Sequence, residues 1–180
     1  QAVATAAMMV ETGVAGVVVA GGVESMSNVE HYTLAARGGV RMGDMVLHDR
    51  LSRGRVMSQP VERFGVITGM IETAENLAKD YGITRDEADE FAVRSHRNAA
   101  QAWAEGKFAE QLVPVTIPGR KGESVVFDHD EGYRADASVE TLGKLAPIDL
   151  KRDPQAIVTA GNASQQNDAA AACLVVAEDK

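Results

Sequence analysis

The sequence lacks several features that would assign it to particular classes of protein. No apolar run approaches the ~20 residues that a membrane span requires, and no charged segment followed by an apolar core marks a signal peptide. Cys173 is the single cysteine among 180 residues, which excludes an intrachain disulfide and fits a reducing compartment. We therefore expect a soluble, cytoplasmic protein without a membrane partner.

Basic residues are also in deficit, since 18 of them face 26 acidic residues and give a net charge of −8. Binding to a nucleic-acid backbone needs a basic footprint, so this balance argues against nucleic acid as a partner. A small polyanionic ligand needs only a local basic cluster and stays compatible with the sequence.

Metal-binding patterns are scarce as well. The four histidines do not pair at metal-ligand spacing, and the acidic residues around Asp128 lack the spacing of a calcium loop. The acidic pairs Asp86-Glu87 and Asp89-Glu90 lie in the first turns of a predicted helix, where the helix dipole favours negative charge. We expect no metal site, histidines with structural or surface roles, and solvated acidic pairs.

The most distinctive stretch present is Val158 to Ala177, VTAGNASQQNDAAAACLVVA. Its loop, Ala160 to Ser164, is rich in small and turn-forming residues that let a backbone approach a ligand. The apolar run Cys173 to Ala177 is typical of a strand buried on both faces. We expect the loop to be exposed at the edge of a buried scaffold, and Cys173 to be a buried structural residue rather than a nucleophile.

A similar stretch, Val17 to Met26, lies near the other end of the chain. A buried helix is predicted over residues 2–12, followed by a buried strand over residues 15–20 that Gly21-Gly22 ends. We interpret the two stretches as parts of one α/β sheet, with everything between them inserted. Because only two central strands are convincing, we expect the chain to be a fragment of a larger fold.

The intervening segment contains recognisable helix signals. Residues 25–64 are irregular, and apolar spacing predicts a helix over residues 66–80. Thr84 and Glu87 form a capping box for a helix that runs to about Glu105. Its predicted apolar face contains Ala88, Phe91, Ala92, Ser95, Ala99 and Trp103. Two short strands, residues 112–117 and 124–127, and a short helix capped by Ser138 are predicted beyond it.

Two sets of loop residues could bind a ligand, and each has an alternative. Arg120, Lys121 and Arg134 could form a phosphate-binding patch or could be solvated surface charges. Ser164 has no nearby His or acid to activate it, so it is not predicted as a nucleophile. Its hydroxyl could donate a hydrogen bond to a ligand or could cap a helix.

The chain resembles the thiolases, the acetyl-CoA acetyltransferase and 3-ketoacyl-CoA thiolase family. The resemblance covers almost all of the chain. It rests on GGVESMSN, RGGVRMGD, TAENLAKDYGITRDEADEFAVRSH, GYRADAS, TLGKLAP and VTAGNAS, followed by the ND pair Asn167-Asp168. It implies a layered α/β/α fold with a long inserted loop domain. The implied domains are residues 1–28 and 158–180 for the N-terminal thiolase domain and 29–157 for the insertion.

The resemblance also implies the chemistry. The family transfers acyl groups through a Cys nucleophile in a reversible Claisen condensation. That Cys would lie just upstream of Gln1, and the family's other catalytic residues would lie in the C-terminal half, so no catalytic residue is expected in this chain. Coenzyme A (CoA) is a substrate and product rather than a permanent cofactor, and a homodimer or homotetramer is expected.

This chain's share in that chemistry would be to hold CoA. By residue-wise resemblance, Ser164 and Ala160 line the pantetheine tunnel, Arg134 faces the phosphates, Thr141 approaches the adenine and Met70 borders the acyl pocket. The chain departs from short-chain members at three places: Gly69, Ile148-Asp149 and a longer 53–65 segment. The alternatives are a degradative thiolase for longer acyl chains and a non-catalytic CoA-binding or assembly module.

Overall fold

A computed structural model of the protein describes residues 1–65 and 69–180. The chain divides into two compact units. Unit 1 comprises Gln1–Ile67 with Gln166–Lys180, and unit 2 comprises Thr68–Gln165. The domain limits 1–28, 29–157 and 158–180 follow from the family resemblance rather than from this division, and they stay a prediction.

Helices and strands alternate irregularly along the chain. The helices are α1 (Ala2–Glu11), α2 (Arg50–Val56), α3 (Val61–Phe64), α4 (Met70–Tyr81), α5 (Arg85–Ala104) and α6 (Val139–Gly143). The strands are β1 (Val17–Ser25), β2 (His31–Tyr32), β3 (His48–Asp49), β4 (Val115–Pro118), β5 (Ser124–Phe127) and β6 (Asp168–Val176). In the described residues the strands form two-stranded ribbons, β1 with β6, β2 with β3, and β4 with β5.

The ribbon of β1 and β6 is the main sheet of unit 1. The two strands run antiparallel, with Val17 opposite Val176 and Ser25 opposite Asp168. This pairing confirms that the two similar stretches of sequence share one sheet. The strand does not end at Gly21-Gly22 as predicted, because the small residues let the two backbones approach closely. A Cβ on Gly21 would lie 2.8 Å from the Ala171 carbonyl oxygen.

Burial in unit 1 is lower than the apolar sequence predicts. Helix α1 packs against both strands and buries its Ala6, and Ala20 of β1 is buried as well. Val19 and its cross-strand partner Leu174 are 70% and 65% exposed. Cys173 is exposed too, so the predictions of a strand buried on both faces and of a buried cysteine are wrong for this chain. An apolar side chain becomes buried only where another element of the protein packs over it, and composition alone does not show whether such an element is present.

Helices α4 and α5 of unit 2 are each capped at the end that adjoins the other. Helix α4 ends at Gly82, whose φ of +66° is the left-handed conformation that glycine adopts without strain. The predicted start of this helix at residues 66–68 lies outside the described residues. The Thr84 capping box of α5 is confirmed: Thr84 Oγ1 accepts from the Glu87 amide at 3.2 Å, and the Glu87 carboxylate accepts from the Thr84 amide at 2.8 Å.

The buried face of α5 agrees only in part with the predicted one, in which Ala92 was included. Ala92 and Val93 pack with Ala137 and Leu142 in the core of unit 2. Phe91, which was predicted on the apolar face, is 64% exposed and stacks with the Arg94 guanidinium. The buried positions 89, 92 and 93 follow helical spacing, so the face is rotated by one position from the prediction.

The remaining elements of unit 2 are short. The exposed β4–β5 hairpin begins at Val115, after Pro114, rather than at residue 112. Helix α6 is capped by Ser138 as predicted, because Ser138 Oγ accepts from the Thr141 amide at 3.2 Å.

Candidate functional site

The segment of residues 157–164, here called the 157–164 loop, is more buried than the sequence predicts. Val158 is buried and Thr159 is 0% exposed, whereas Ala160 and Ser164 are exposed. Within the predicted loop, Ala160 to Ser164, the two ends are exposed and residues 161–163 are partly buried, so the prediction of an exposed loop holds in part. It holds for two of the residues that the resemblance assigns to ligand contact.

The first half of the loop is held by the carboxylate of Glu75, which projects from α4 and is 5% exposed. Its oxygens accept hydrogen bonds from the amide of Ile157 at 3.0 Å and from the amide of Val158 at 2.8 Å. A buried carboxylate is tolerated when donors satisfy it, and hydrogen bonds to a charged acceptor are the stronger ones. Glu75 therefore fixes two successive peptide groups of the loop.

The second half is closed by the side-chain amide of Asn162. Its Oδ1 accepts from the Thr159 amide at 2.7 Å, and its Nδ2 donates to the Ile157 carbonyl at 3.0 Å. Thr159 Oγ1 accepts from the amides of Gly161 and Asn162, at 3.2 and 3.3 Å. Side-chain bonds of this kind are how Asn and Thr stabilise turns.

Asn162 is in turn held by Asp89 of α5, which is 1% exposed. Asn162 Nδ2 donates to Asp89 Oδ1 at 2.9 Å, and Arg85 Nε donates to Asp89 Oδ2 at 2.8 Å. Arg85 Nη2 also donates to the carbonyls of Leu142 and Leu145, at 2.7 and 3.0 Å. The prediction that Asp89 is a solvated surface charge is wrong, because it links the loop to α5 and to the end of α6.

A cavity of about 720 Å³ lies beside the loop within unit 2. Met70 and Ser164, two of the predicted site residues, both line it. Most of the remaining wall is apolar and comes from α4, α5 and the loop: Ile71, Ala74, Leu77, Ala78, Tyr81, Ile83, Ala88, Phe91, Ile157, Val158 and Ala163. Its size is within the range of small-molecule sites.

Ser164 does not cap a helix, so that alternative is wrong. The element that follows it is strand β6, and Ser164 Oγ donates to the Gln165 carbonyl at 3.2 Å. The hydroxyl oxygen retains acceptor capacity on the wall of the cavity.

The other predicted site residues are not among those that line this cavity. Arg134 is exposed and its backbone amide donates to His96 Nδ1 at 3.2 Å. Within residues 1–65 and 69–180, no acidic group pairs with its guanidinium. The Thr141 hydroxyl belongs to the α6 cap, because it accepts from the Ser138 amide at 3.1 Å and donates to the Ser138 carbonyl at 2.9 Å.

The histidines and acidic residues do not form a metal centre in the part of the chain that the structure describes. Two of the histidines have structural contacts of the expected kind. His96 accepts from the Arg134 amide, and His129 stacks on Trp103 and bonds the Tyr133 hydroxyl at 2.8 Å. Of the other two basic loop residues, Arg120 is exposed, and the side chain of Lys121 lies outside the described part.

The family described as "Thiolase, N-terminal domain" matches residues 1–179. The chain belongs to the thiolase family.

Relatives of this thiolase chain cover its whole length. It is 44% identical to beta-ketothiolase BktB of Cupriavidus necator, over 98% of this chain and 42% of that protein. It is 43% identical to an acetyl-CoA acetyltransferase of Thiocystis violacea, over 100% of this chain and 44% of that protein. The crystal structure of a Bacillus anthracis acetyl-CoA acetyltransferase matches with a TM-score of 0.85 at 40% identity, over 99% of this chain and 43% of that one.

These matches confirm a mixed α/β thiolase fold. The chain spans less than half the length of the relatives it matches, so the activity of a whole thiolase belongs to the proposal below. In the described residues, no helix is long and apolar enough to cross a membrane.

Two thiolase motifs meet at one end of the β1–β6 ribbon. The Asp168 carboxylate accepts from the Ser27 amide at 2.9 Å, from Ser25 Oγ at 3.2 Å and from Ser27 Oγ. The Ser27 hydroxyl and amide hold the pKa of Asp168 below its ordinary value. This contact joins the GGVESMSN and ND motifs within unit 1.

Glu75 and Asp89 were not predicted as residues of the site. A signal existed for Asp89, since Arg85 precedes it by one turn and the buried Ala92 and Val93 follow at i+3 and i+4. For Glu75 the corresponding signal was Ala78 at i+3, which is also buried. An acidic residue on the buried face of a helix indicates a partner inside the fold.

Proposed function

We propose that the whole protein containing this chain is an acyl-CoA acyltransferase that catalyses reversible Claisen condensation and thiolysis of acetyl-CoA and 3-ketoacyl-CoA. Support comes from family membership and from relatives named as a beta-ketothiolase and acetyl-CoA acetyltransferases. The Cys nucleophile and the acid–base residues would lie outside these residues, so the chain itself supplies no catalytic group. CoA is a substrate and product, and the protein acts as a cytoplasmic homodimer or homotetramer.

The cavity beside the 157–164 loop is the main observation that supports CoA binding by this chain. Its wall is mostly apolar, and the Ser164 hydroxyl lies on it together with Met70. The pantetheine arm of CoA is a narrow chain with alkyl segments and two amides, so it needs an apolar channel with few polar contacts. Ser164 would bond the arm, Ala160 would line the tunnel and Met70 would border the acyl end.

The nucleotide end of CoA would extend toward Arg134 and Thr141. The Arg134 guanidinium has no acidic partner in the described residues, and its planar fork suits phosphate oxygens. Because the Thr141 hydroxyl is engaged by Ser138, we expect Thr141 to meet the adenine through its methyl group.

The proposed function is tested by assaying the whole protein with acetoacetyl-CoA and free CoA. We expect CoA-dependent cleavage, and no cleavage by the 180-residue chain alone. A parallel assay with longer 3-ketoacyl-CoA substrates tests the degradative alternative, which requires kcat/KM to rise with chain length. Tight CoA binding without any cleavage would contradict the enzyme and support a CoA-binding module.

The phosphate contact is tested by Arg134→Ala in the whole protein. Hydrogen bonds to charged groups contribute about 1.5–3 kcal/mol, so KM for CoA should rise at least about tenfold. The kcat should change little, because the contact is the same in the ground and transition states. Arg97→Ala, an exposed arginine of α5, is the matched control. An unchanged KM would remove Arg134 from the site.

A further inference from the structure

We propose that Asp89 and Glu75 are positioning residues for CoA, which act by holding the 157–164 loop in the geometry that presents Ser164 to the ligand. This inference rests on the proposed function. Neither carboxylate lines the cavity, whereas Asn162 and Ser164 both do. Asp89 and Glu75 would therefore affect CoA binding through the position of the loop.

The amide of Asn162 has one orientation that satisfies all its neighbours. Its Oδ1 faces the Thr159 amide, and its Nδ2 faces two acceptors, the Ile157 carbonyl and Asp89 Oδ1. A flipped amide would put oxygen against those two acceptors and nitrogen against a donor. The Asp89 carboxylate therefore selects the orientation that closes the turn before Ser164.

Asp89 is itself held in place from the other side. Arg85 donates to its second oxygen and uses its Nη2 on the carbonyls of Leu142 and Leu145. Both Asp89 oxygens thus receive a donor, Arg85 on one side and Asn162 on the other. An isosteric Asn at position 89 has one oxygen and one NH2 group, so it would break one of these contacts without changing the packed volume.

Glu75 fixes the opposite end of the loop. It accepts from two successive amides, Ile157 and Val158, and the Ala163 amide then donates to the Thr159 carbonyl at 3.0 Å. Hydrogen bonds therefore fix the backbone from residue 157 to residue 163 at both ends and in the middle. Ser164 is the next residue, so a shift of this backbone moves its hydroxyl.

The test compares Asp89→Asn with Glu90→Gln in the whole protein, well below the unfolding temperature of each variant. Glu90 is the exposed neighbour of Asp89 on α5 and serves as the control. We expect Asp89→Asn to raise KM for CoA about five- to tenfold with kcat within about twofold, and Glu90→Gln to leave both within twofold. Glu75→Gln, which keeps one acceptor oxygen for the two amides, should raise KM about two- to threefold and is informative if Asp89→Asn does not fold.

A double-mutant cycle with Ser164→Ala separates positioning from a purely structural role. If Asp89 acts through Ser164, adding Asp89→Asn to Ser164→Ala should raise KM by less than about twofold further. A lower melting temperature with an unchanged KM, or an undiminished effect in the Ser164→Ala background, would overturn the inference. A wild-type protein that binds no CoA would instead overturn the proposed function.

Discussion

The 157–164 loop and strand β6 are neighbours in one stretch of sequence, yet they are stabilised in opposite ways. The loop consists largely of turn-forming residues, is buried at Val158 and Thr159, and has backbone groups bonded to Glu75 and Asn162. The strand is apolar and exposed, with Leu174 and Cys173 accessible. In this chain, burial follows the polar partners of a segment more closely than its hydrophobicity.

The difference has a physical basis. A loop can enter a protein interior only when its amides and carbonyls find partners. Here Glu75 accepts from two amides, and the Asn162 side chain, which Asp89 holds, bonds a further amide and a carbonyl. The β1–β6 ribbon satisfies its backbone by cross-strand pairing, so it forms even while its apolar side chains stay accessible. The backbone groups of both segments are therefore hydrogen-bonded. The two segments differ in whether their side chains are buried.

Thiol reactivity should show the largest contrast between the two segments. In the 180-residue chain, Cys173 should react with a soluble disulfide reagent at nearly the rate of an unfolded peptide. A cysteine placed in the loop, Val158→Cys in a Cys173→Ser background, should react at least about 100-fold more slowly, because reaction there requires local unfolding. Equal rates for the two thiols would erase the contrast.

Removing the Asn162 amide should be the largest change in stability. Asn162→Ala breaks the bonds to Thr159, Ile157 and Asp89 and leaves buried groups without partners. We expect a loss of about 2–4 kcal/mol in the free energy of unfolding, measured by urea denaturation. The exposed Asn167 gives the matched control, and Asn167→Ala should change stability by less than about 0.5 kcal/mol. Similar losses for both variants would contradict the role assigned to Asn162.

The ribbon should be sensitive to backbone spacing instead. A methyl group at Gly21 would meet the Ala171 carbonyl at 2.8 Å, whereas one at Gly22 meets nothing within 4 Å. We expect Gly21→Ala to destabilise unit 1 by about 1–3 kcal/mol, because the strands must move apart. Gly22→Ala should be neutral or slightly stabilising. An equal effect at the two glycines, measured in the same urea series, would show that the close approach does not exist.

The end of the ribbon should also respond to acid, with a smaller effect. The pKa of Asp168 lies below its ordinary value of 3.8, because the Ser27 hydroxyl and amide donate to its carboxylate. A lowered native pKa gives stability that is present above pH ~4 and is lost as the pH falls through the native value. The stability difference between wild type and Asp168→Asn should therefore be constant from pH 7 to about 5 and shrink below about 4. A difference that stays constant to pH 3 would contradict this contact.

What the sequence predicts well is local or strongly patterned. The caps at Thr84 and Ser138 use residues three positions apart, and both form as predicted. The pairing of β1 with β6 follows from two stretches of similar small and apolar composition. The family resemblance supplied the site residues, and the structure places Met70 and Ser164 on one cavity. The roles of Ala160, Arg134 and Thr141 stay predictions.

What it predicts poorly depends on contacts between distant residues. Glu75 bonds amides 82 and 83 positions away, and Asp89 bonds Asn162 across 73 positions. The local sequence around either carboxylate does not predict those partners. Helical spacing predicts only that both residues lie on the buried face of their helix. The burial predicted for Cys173 failed because hydrophobic pattern describes a side chain and not what covers it.

The central claim is that the loop held by these carboxylates presents Ser164 to CoA. Calorimetric titration of CoA into the whole protein and its Ser164→Ala variant tests this most directly, with Ser124→Ala on the exposed strand β5 as the control. One lost hydrogen bond contributes about 0.5–1.5 kcal/mol, so Kd should rise about two- to tenfold for Ser164→Ala and stay unchanged for Ser124→Ala. A wild type that binds CoA and a Ser164→Ala variant with the same Kd would contradict the account.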